Sequence, residues 1–409
     1  MSKTLLIIGA GIEQVPGIKL AKKMGLYVIV TDGNPKAPGF KYSDNYAVIS
    51  TYDVKKTLQF AIKLNKKRKI NGVMTLASDV PLTVSTIADK LGLPGNSIKT
   101  AELASNKLLM KRKFLEKGIP SPIFSEVKNV NDIKKFIRKY RYPVVLKPID
   151  SRGARGVLKL TNSDNLNRAF NKSKNESSSK RVIIEEFLKG PQFSTESIIS
   201  DGNIITPGIS NRNYEYLKKF SPYIIENGGD LPAKLNKKQR KEIDRVLMKA
   251  AIALGIEKNS IKGDVVYTNS GPKIIEIAAR LSGGWFCTDQ IIFSTGVNMV
   301  KAVINISLGI APDFSKLAPK YNKGVAIRYF FPSKGKIIKI SGLDKVKKLK
   351  NIKKVGINIK VGSYIDRIND HTKRAGFVIT QARNRKSAIN AAEKAISLIK
   401  VKLVKKIKV

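Results

Sequence analysis

Two carboxylates on either side of a turn are the residues of this sequence best suited to chemistry. Asp264 lies six residues before Ser270 and Glu276 six residues after it, in strand-like segments that flank the turn sequence 269–272. In an antiparallel hairpin centred there, the two side chains face each other with Cβ atoms ~5 Å apart. Facing like charges destabilise a hairpin unless positive charge lies between them, and Mg²⁺ (or Mn²⁺) suits such oxygen ligands. The alternative is a pair of solvated carboxylates partnered by lysines.

Two further segments carry groups that suit phosphate oxygens. Arg280, four residues beyond Glu276, is predicted to lie on the same strand face and to hold a transferring phosphoryl group. An apolar strand at 143–146 ends on Lys147 and leads into a flexible loop with two glycines and two arginines: Ser151, Arg152, Gly153, Arg155 and Gly156. Backbone N–H groups at glycines and arginine side chains can cover phosphates, although the Gly-Lys-Ser/Thr ending of a Walker A motif is absent. The alternative is an ordinary basic hairpin turn.

A third segment suits a purine base. The apolar strand at 182–184 runs into Glu185, Glu186 and Phe187. Such a strand end can present backbone amides and an apolar wall, but many strands end in glutamates.

The cysteine and histidine content excludes several classes of protein. The chain has one cysteine, Cys287, and one histidine, His371, so there is no disulfide framework and no Cys/His zinc site. No nucleophile-elbow sequence accompanies His371, which leaves a Cys287–His371 dyad as the one nucleophilic pair of this kind. If the protein is an enzyme, its chemistry rests on carboxylates, lysines, arginines and a hard metal ion.

The charge is strongly positive, with 77 Lys+Arg against 31 Asp+Glu and a net charge of +46. Such a surplus attracts polyanions. The basic residues are spread along the chain, and helix-turn-helix, zinc-finger and RNP-type motifs are absent from the sequence. This favours a general lysine bias over specific nucleic-acid binding, which remains the alternative from another functional class.

The elements that position these residues follow an α/β pattern. Apolar strands at 4–8, 27–30, 46–49 and 72–76 alternate with helical patterns, which predicts a parallel sheet. Further predictions are listed in chain order: a helix over 101–117, a mobile serine-rich loop at 171–180, a helix over 237–254, a hairpin over 260–280, strands at 324–331 and 336–340, and a helix over 387–400. The length suits two or three domains. No apolar run is long enough to span a bilayer, and the N-terminus is predicted to be a first strand, so a cytoplasmic location is expected.

A dinucleotide site in the first section is not favoured. Gly9 and Gly11 follow the first strand, and Asp32 ends the second, as in a dinucleotide fingerprint. Gln14 stands where the third glycine belongs. A small anionic substrate at the helix N-terminus is an equal alternative.

Taken together, the order of these segments resembles the ATP-grasp superfamily over nearly the whole chain. It is similar to the branch with carbamoyl-phosphate synthase large subunits, biotin carboxylase, glycinamide ribonucleotide synthetases and L-amino acid ligases. The matching stretches are Ala104-Ser105-Asn106-Lys107, Met110-Lys111, 118–122, 142–148 and 276–284.

The resemblance implies a role for each matching residue. Lys107 and Lys147 contact ATP phosphates, and loop 151–156, including Arg155, covers the γ-phosphate. Adenine is held by Glu185 and by the backbone through Glu186, Phe187 and Leu188. Magnesium is bound by Asp264 and Glu276, and the reacting acyl phosphate by Arg280. Three positions depart from the family pattern: Asn106 replaces an acid, Gln192 replaces the ribose-binding glutamate, and Ala278 replaces an asparagine near the metal. The last departure leaves open whether one or two metal ions bind.

The resemblance also implies the organisation and the reaction. It implies a pre-ATP-grasp α/β domain over 1–103, an ATP-grasp domain over 104–313 and a C-terminal α+β domain over 314–409. The expected activity is ADP-forming ligation of a small-molecule carboxylate to an amine through an acyl phosphate, with ATP and Mg²⁺. A phosphoribosylamine–glycine ligase of the purine pathway is the alternative within the family. Substrate candidates are Arg212, Glu226, Trp285 and Arg374. Neither a membrane nor a specific nucleic acid is expected as partner, and a homodimer is the default.

Overall fold

The computed structural model describes residues 2–404. The strands are β1 (Thr4–Ile8), β2 (Tyr27–Asp32), β3 (Asn45–Val48), β4 (Gly72–Thr75), β5 (Phe124–Val127), β6 (Val144–Pro148), β7 (Leu158–Leu160), β8 (Val182–Glu186), β9 (Gln192–Ser200), β10 (Asn203–Asn213), β11 (Gly228–Leu231), β12 (Asn259–Thr268), β13 (Gly271–Ala278), β14 (Gly324–Phe330), β15 (Gly335–Ser341), β16 (Ile352–Ile357), β17 (Tyr364–Ile365), β18 (Gly376–Ala382) and β19 (Lys400–Val404). The helices are α1 (Val15–Lys23), α2 (Val54–Lys67), α3 (Pro81–Leu91), α4 (Ile98–Ser105), α5 (Lys107–Glu116), α6 (Val130–Tyr140), α7 (Leu166–Asn175), α8 (Leu217–Phe220), α9 (Lys237–Leu254), α10 (Ile291–Thr295), α11 (Met299–Ser307), α12 (Leu343–Lys347) and α13 (Arg385–Leu398). The fold is mixed α/β, as predicted.

The described residues form two compact units. The first unit takes its residues from 2–121, Phe193–Ile209 and Leu235–Lys320. The second takes its residues from Pro122–Gln192, Ser210–Lys234 and 321–404. Each unit combines segments that are distant in sequence, so the three-domain division stays a prediction. Among residues 2–404, no helix is long and apolar enough to cross a bilayer.

The first unit contains the predicted parallel sheet, in the order β3-β2-β1-β4. All five residues of β1 are buried, as a strand covered on both faces requires. The side chain of Gln14 donates to the Leu76 carbonyl at 2.5 Å and lies against Gly9, in the space that a fingerprint glycine would leave open. Asp32 accepts the Ala10 amide at 2.8 Å, so this carboxylate anchors the loop after β1.

The first unit also holds the β12–β13 hairpin. The hairpin pairs with β9 and β10 in the order β13-β12-β9-β10, and α9 packs against the hairpin. A capping box of Asn236 and Gln239 begins α9, and Gly255 ends it with a left-handed φ of 76°. This supports the predicted helix and hairpin in that region.

The second unit contains an antiparallel sheet in the order β5-β8-β6-β7, and strands β11-β14-β18-β16 that pair side by side. Apolar residues from β6, β7, β8, α6 and α7 fill the core of the first sheet. The helix α13 packs on β14 and β18 through Ala388 and Ala392, which are fully buried.

Two predicted elements differ from the structure. The segment 171–180 was predicted to be a mobile loop, but α7 extends to Asn175 because Ala169, Phe170 and Ser173 form a buried face on an otherwise polar helix. The helix predicted over 101–117 is two helices, since Asn106 stops α4 and its side chain caps α5.

Candidate active site

The predicted carboxylate pair lies in the predicted register. Asp264 on β12 pairs directly with Glu276 on β13, and a bulge follows between Asp264 and Val265. Asp264 is 5% exposed. Lys262 donates a hydrogen bond to Asp264 Oδ2, and its Nζ lies 3.9 Å from Glu276 Oε1. The ammonium group of Lys262 therefore supplies the positive charge that facing carboxylates require.

Helix α5 adds a second ammonium group to this pair. Lys107 is the first residue of α5, and its Nζ lies 3.6 Å from Glu276 Oε2. The side-chain oxygen of Asn106 accepts hydrogen bonds from the Leu108 and Leu109 amides at 3.0 and 3.1 Å. Asn106 therefore caps α5 in the way that the acid of the family pattern would. The fully buried Lys111, one turn later, donates to the Ile274 carbonyl at 3.1 Å and ties α5 to β13.

The donor set fits a magnesium ion bound together with nucleotide phosphates. In the described part of the chain, no group of three or more His, Cys, Asp or Glu side chains could hold a metal ion by itself. Magnesium is usually held by one or two carboxylates plus phosphate oxygens and waters, so two carboxylates suffice when a nucleotide supplies the rest.

Arg280 lies beyond the strand on which it was predicted, because β13 ends at Ala278. Its Nε donates to Asp79 Oδ1 at 2.7 Å, and its Nη1 donates to the Leu281 carbonyl at 3.1 Å. Burial opposes the charge of Arg280, but the carboxylates of Asp79, Glu196 and Glu276 together hold the pKa of its guanidinium above the ordinary value. Arg280 stays a cation near Glu276.

In the second unit, Lys147 and Glu185 form a buried ion pair. Val145 on β6 pairs with Glu185 on β8, so the lysine two residues on lies diagonally across from the glutamate. Their Nζ and Oε2 atoms are 2.8 Å apart, and their side chains are 4% and 3% exposed. Each charge of this buried pair is therefore compensated by the other.

The segment that is predicted to hold a base follows Glu185. Glu186 accepts the Ile123 amide at 3.0 Å, and the ring of Phe187 lies 4.2 Å from Lys159 Nζ. Leu188 and Gln192 are partly buried. All four side chains are partly buried, near the end of β8 and at the start of β9.

The loop 151–156 lies between the antiparallel strands β6 and β7, and its role over phosphates stays a prediction. Gly153 and Gly156 have left-handed φ angles of 62° and 70°, and a Cβ on Gly156 would lie 2.8 Å from Glu176 Cβ. Arg155 Nε donates to the Arg152 carbonyl at 3.2 Å. The loop thus forms a compact turn that starts at Ser151 and turns at Gly153. The side chains of Arg152 and Arg155 are partly buried.

Asp150 anchors the start of this loop. Its carboxylate accepts hydrogen bonds from Ser177 Oγ at 2.8 Å, Ser178 Oγ at 2.7 Å and the Ser179 amide at 2.8 Å. Burial raises the pKa of Asp150, but these hydrogen bonds outweigh it and leave the pKa below its ordinary value. The serine-rich segment after α7 is therefore the support of the loop.

Three of the four substrate candidates come together in the second unit. Glu226 Oε2 accepts from Arg212 Nε at 2.9 Å and lies 3.6 Å from Arg374 Nη2. The guanidinium of Arg374 stacks 3.7 Å from the Tyr329 ring centre, and His371 Nε2 accepts the Glu226 amide at 3.3 Å. The three charged side chains are 12–14% exposed. Two guanidinium groups against one carboxylate leave a net positive charge, which suits an anionic ligand.

The remaining candidates are more deeply buried. Trp285 lies in the first unit, is 9% exposed and has a left-handed φ of 61°. Burial raises the pKa of the Cys287 thiol well above its ordinary value, and Sγ donates to the Ser282 carbonyl at 3.0 Å. Cys287 therefore carries no thiolate for a Cys287–His371 dyad.

Four residues of the site are not among those predicted from the sequence. Lys262 was detectable, because it lies two residues before Asp264 and shares its strand face. The other three are acids that contact the segment after β13 from far away in the chain. Asp79 is 201 residues from Arg280, Glu196 is 86 residues from Ser282, and Glu13 is 271 residues from Gly284, so no local sequence pattern predicts these contacts.

Comparisons with known proteins define the class. Residues 104–284 match the model of an ATP-grasp domain, residues 5–90 that of a PylC-like N-terminal domain, and residues 328–404 that of L-amino acid ligase C-terminal domain 2. Residues 104–284 are therefore an ATP-grasp domain.

Individual relatives are distant. The L-arginine-specific L-amino acid ligase of Bacillus subtilis is 23% identical over 78% of this chain and 77% of its own length. The crystal structure of L-amino acid ligase from Bacillus licheniformis has a TM-score of 0.83 at 21% identity, with 98% and 99% of the two chains covered. A Hydrogenobacter thermophilus biotin carboxylase domain dimer, crystallised with MgADP and bicarbonate, has a TM-score of 0.74 at 19% identity, with 99% and 92% covered. Six other curated relatives are matched over only 28–48% of their length.

Proposed function

We propose that this protein is an ATP-dependent, ADP-forming carboxylate–amine ligase that acts through an acyl phosphate. The observation that carries the proposal is the direct pairing of Asp264 with Glu276 beside the ammonium groups of Lys262 and Lys107. This arrangement suits a magnesium ion (or manganese) shared with ATP phosphates.

The roles of the individual residues follow their chemistry. The substrate carboxylate attacks the γ-phosphorus of ATP, ADP leaves, and the amine then displaces phosphate from the acyl phosphate. Arg280, as a retained cation, stabilises the charge on the transferring group, and Lys107 and Lys147 bind phosphate oxygens. Loop 151–156, with Arg155 and Arg152, covers the phosphates and excludes water. Glu185, Glu186, Phe187, Leu188 and Gln192 bind the nucleoside.

The substrate class is an amino acid. Arg212 and Arg374 converge on Glu226 with an excess of positive charge, which suits the α-carboxylate of one substrate, while Glu226 suits an ammonium group. The match of residues 328–404 to an L-amino acid ligase domain supports this class over the phosphoribosylamine–glycine alternative. Trp285 remains a candidate for an apolar side chain.

The test measures ADP release from MgATP with hydroxylamine present, across a panel of amino acids and other small carboxylates, with phosphoribosylamine plus glycine as a separate arm. Hydroxylamine converts an acyl phosphate to a stable hydroxamate, so ADP and hydroxamate should appear together for at least one acid. Glu276→Gln should lower turnover by about a hundredfold or more, since it removes a charge that the transition state requires. Exposed Glu257→Gln is the matched control and should behave as wild type.

Thermal unfolding of both variants establishes that they fold. Wild-type turnover in folded Glu276→Gln contradicts the metal assignment. ADP released without hydroxamate for every acid contradicts the acyl phosphate.

The nucleic-acid alternative and the assembly are tested separately. A specific nucleic-acid partner would retain nanomolar affinity near physiological salt, whereas a lysine-rich enzyme should release RNA there. Light scattering tests the proposed homodimer. A cytoplasmic location stays an expectation.

A further inference from the structure

The segment that follows β13 is held by three carboxylates from separate elements of the first unit. Asp79, just before α3, binds Arg280 as described above. Glu196 on β9 accepts the Ser282 amide at 3.1 Å (Oε1) and 3.2 Å (Oε2), and it also accepts the Ser282 hydroxyl. Glu13, just before α1, accepts the Gly284 amide at 3.1 and 3.2 Å. Every second residue of this segment, at positions 280, 282 and 284, is therefore hydrogen-bonded to a carboxylate.

Of the three acids, Glu196 is the one fully enclosed by protein. It is 0% exposed, and Ser282 is 5% exposed. Burial raises the pKa of Glu196 to about 7, while the hydrogen bonds from Ser282 and the charges of Arg280 and Lys262 favour its ionised form. The Ser282 carbonyl is in turn occupied by Cys287 Sγ. Every polar group of Ser282 is thus engaged, and the orientation of this residue is fixed.

The position of Glu196 connects this contact to the carboxylate pair. Ser194, two residues earlier on the same face of β9, donates to Asp264 Oδ1 at 3.4 Å. Ser282 lies two residues after Arg280 and six after Glu276. One strand, β9, therefore contacts both the hairpin with the carboxylates and the segment with the arginine.

We propose that Glu196 is a positioning residue of the ligase reaction: through its paired hydrogen bonds to Ser282 it fixes the backbone that aims Arg280. This inference rests on the proposed function for its catalytic consequence, but not for the structural one. Because a small displacement of a charge-stabilising group lowers the rate strongly, a looser segment should lower kcat while nucleotide binding persists.

The test compares Glu196→Gln, which keeps the volume but removes the charge and one acceptor oxygen, with Ser282→Ala, which removes the hydroxyl donor only. Asp244→Asn is the control, because Asp244 is a partly buried carboxyl in the same unit and, like Glu196, accepts a hydroxyl hydrogen bond, from Thr206 at 2.6 Å. Hydrogen exchange of peptides covering 279–285 is measured for each variant, together with kcat and the KM for ATP.

Glu196→Gln should raise exchange in 279–285 and lower kcat by about 10- to 100-fold, with the KM for ATP changed by less than about threefold. Ser282→Ala should produce a smaller change in the same direction, and Asp244→Asn should match wild type. If Glu196→Gln does not fold, Ser282→Ala alone decides the matter.

Two results overturn the inference. Unchanged exchange in 279–285 shows that Glu196 does not hold the segment, and raised exchange with unchanged kcat shows that the segment does not position Arg280. If wild-type protein shows no turnover with any acid, the proposed function fails by itself, while the exchange measurement still decides whether Glu196 fixes the segment.

Discussion

Replacing Lys147 by Met tests both the burial and the role of the ion pair in the second unit. The pair joins Nζ and Oε2 at 2.8 Å with side chains 4% and 3% exposed, so removal of the ammonium group leaves a carboxylate enclosed by protein. Methionine has nearly the length of lysine, so the substitution removes charge more than volume.

The magnitude follows from the burial. Breaking a buried pair by removing one partner lowers the free energy of unfolding by about 3–5 kcal/mol, whereas replacing both partners by apolar residues is often neutral or stabilising by about 1–4 kcal/mol. Lys147→Met should therefore destabilise by about 3–5 kcal/mol, and the double variant Lys147→Met/Glu185→Met should recover most of that loss. The matched control is Lys172→Met, because Lys172 and Glu176 have the same 2.8 Å separation but are 33% and 31% exposed. Its effect should stay below about 1 kcal/mol.

The assay is urea unfolding followed by far-UV circular dichroism, with ATP binding measured by calorimetry on the same samples. The double variant should be folded and yet lose ATP affinity, which separates stability from function. An effect of Lys147→Met no larger than that of Lys172→Met would refute the burial argument. Wild-type ATP affinity in the folded double variant would refute the assignment of Lys147 and Glu185 to the nucleotide.

Three further predictions concern pH, the loop and the substrate. Burial raises the pKa of Glu196 from 4.5 to about 7, so the native state binds the proton more tightly than the unfolded state. The stability of wild type relative to Glu196→Gln should therefore be greatest below pH 4.5 and fall by about 3 kcal/mol as the pH rises through 7, as urea titrations at stepped pH will measure; a rise would contradict it. Asp150→Asn weakens the anchor of the phosphate-covering loop and should speed proteolysis within 151–156, with Asp244→Asn as control; equal cleavage rates would show that the anchor does not order the loop. Arg374→Ala should raise the KM for the carboxylate substrate by about tenfold or more and leave the KM for ATP unchanged, since it removes one charge-assisted contact; the reverse pattern would move Arg374 to the nucleotide.

The carboxylate pair was predictable from sequence because its geometry is local. A count centred on Ser270 puts Asp264 opposite Glu276, and the two residues do pair. The turn itself is Asn269 and Ser270, with Thr268 opposite Gly271, so a regular ladder would put Asp264 opposite Ile275. The bulge between Asp264 and Val265 shifts the register by one residue and brings Glu276 opposite Asp264. The same count fails for Arg280, because the strand ends at Ala278 and the alternation of faces ends with it. The partner of Arg280, Asp79, is 201 residues away in the chain. Only the tertiary fold brings them together.

The errors in secondary structure have similar physical causes. Composition predicted a loop at 171–180, but a helix needs only a narrow apolar stripe, which Ala169 and Phe170 supply for α7. The pattern at 101–117 predicts one helix, but Asn106 ends α4 and its side chain caps α5, so the helix breaks there.

The lysines beside the carboxylate pair imply that metal affinity depends on the nucleotide. Lys262 contacts Asp264 and lies 3.9 Å from Glu276, so a metal ion alone competes with an ammonium group already present. Nucleotide phosphates add negative charge that the lysines can contact instead.

Lys262→Met should therefore remove one of the two ammonium groups beside the facing carboxylates and leave Lys107 as the other. This should lower the melting temperature without metal and increase the stabilisation by Mg²⁺ or Mn²⁺ in the absence of ATP. Thermal unfolding at increasing metal concentration measures this, with exposed Lys241→Met on α9 as the control. Equal metal-induced shifts in the melting temperature of wild type and Lys262→Met would show that the ammonium group of Lys262 does not compete with a metal ion for the two carboxylates.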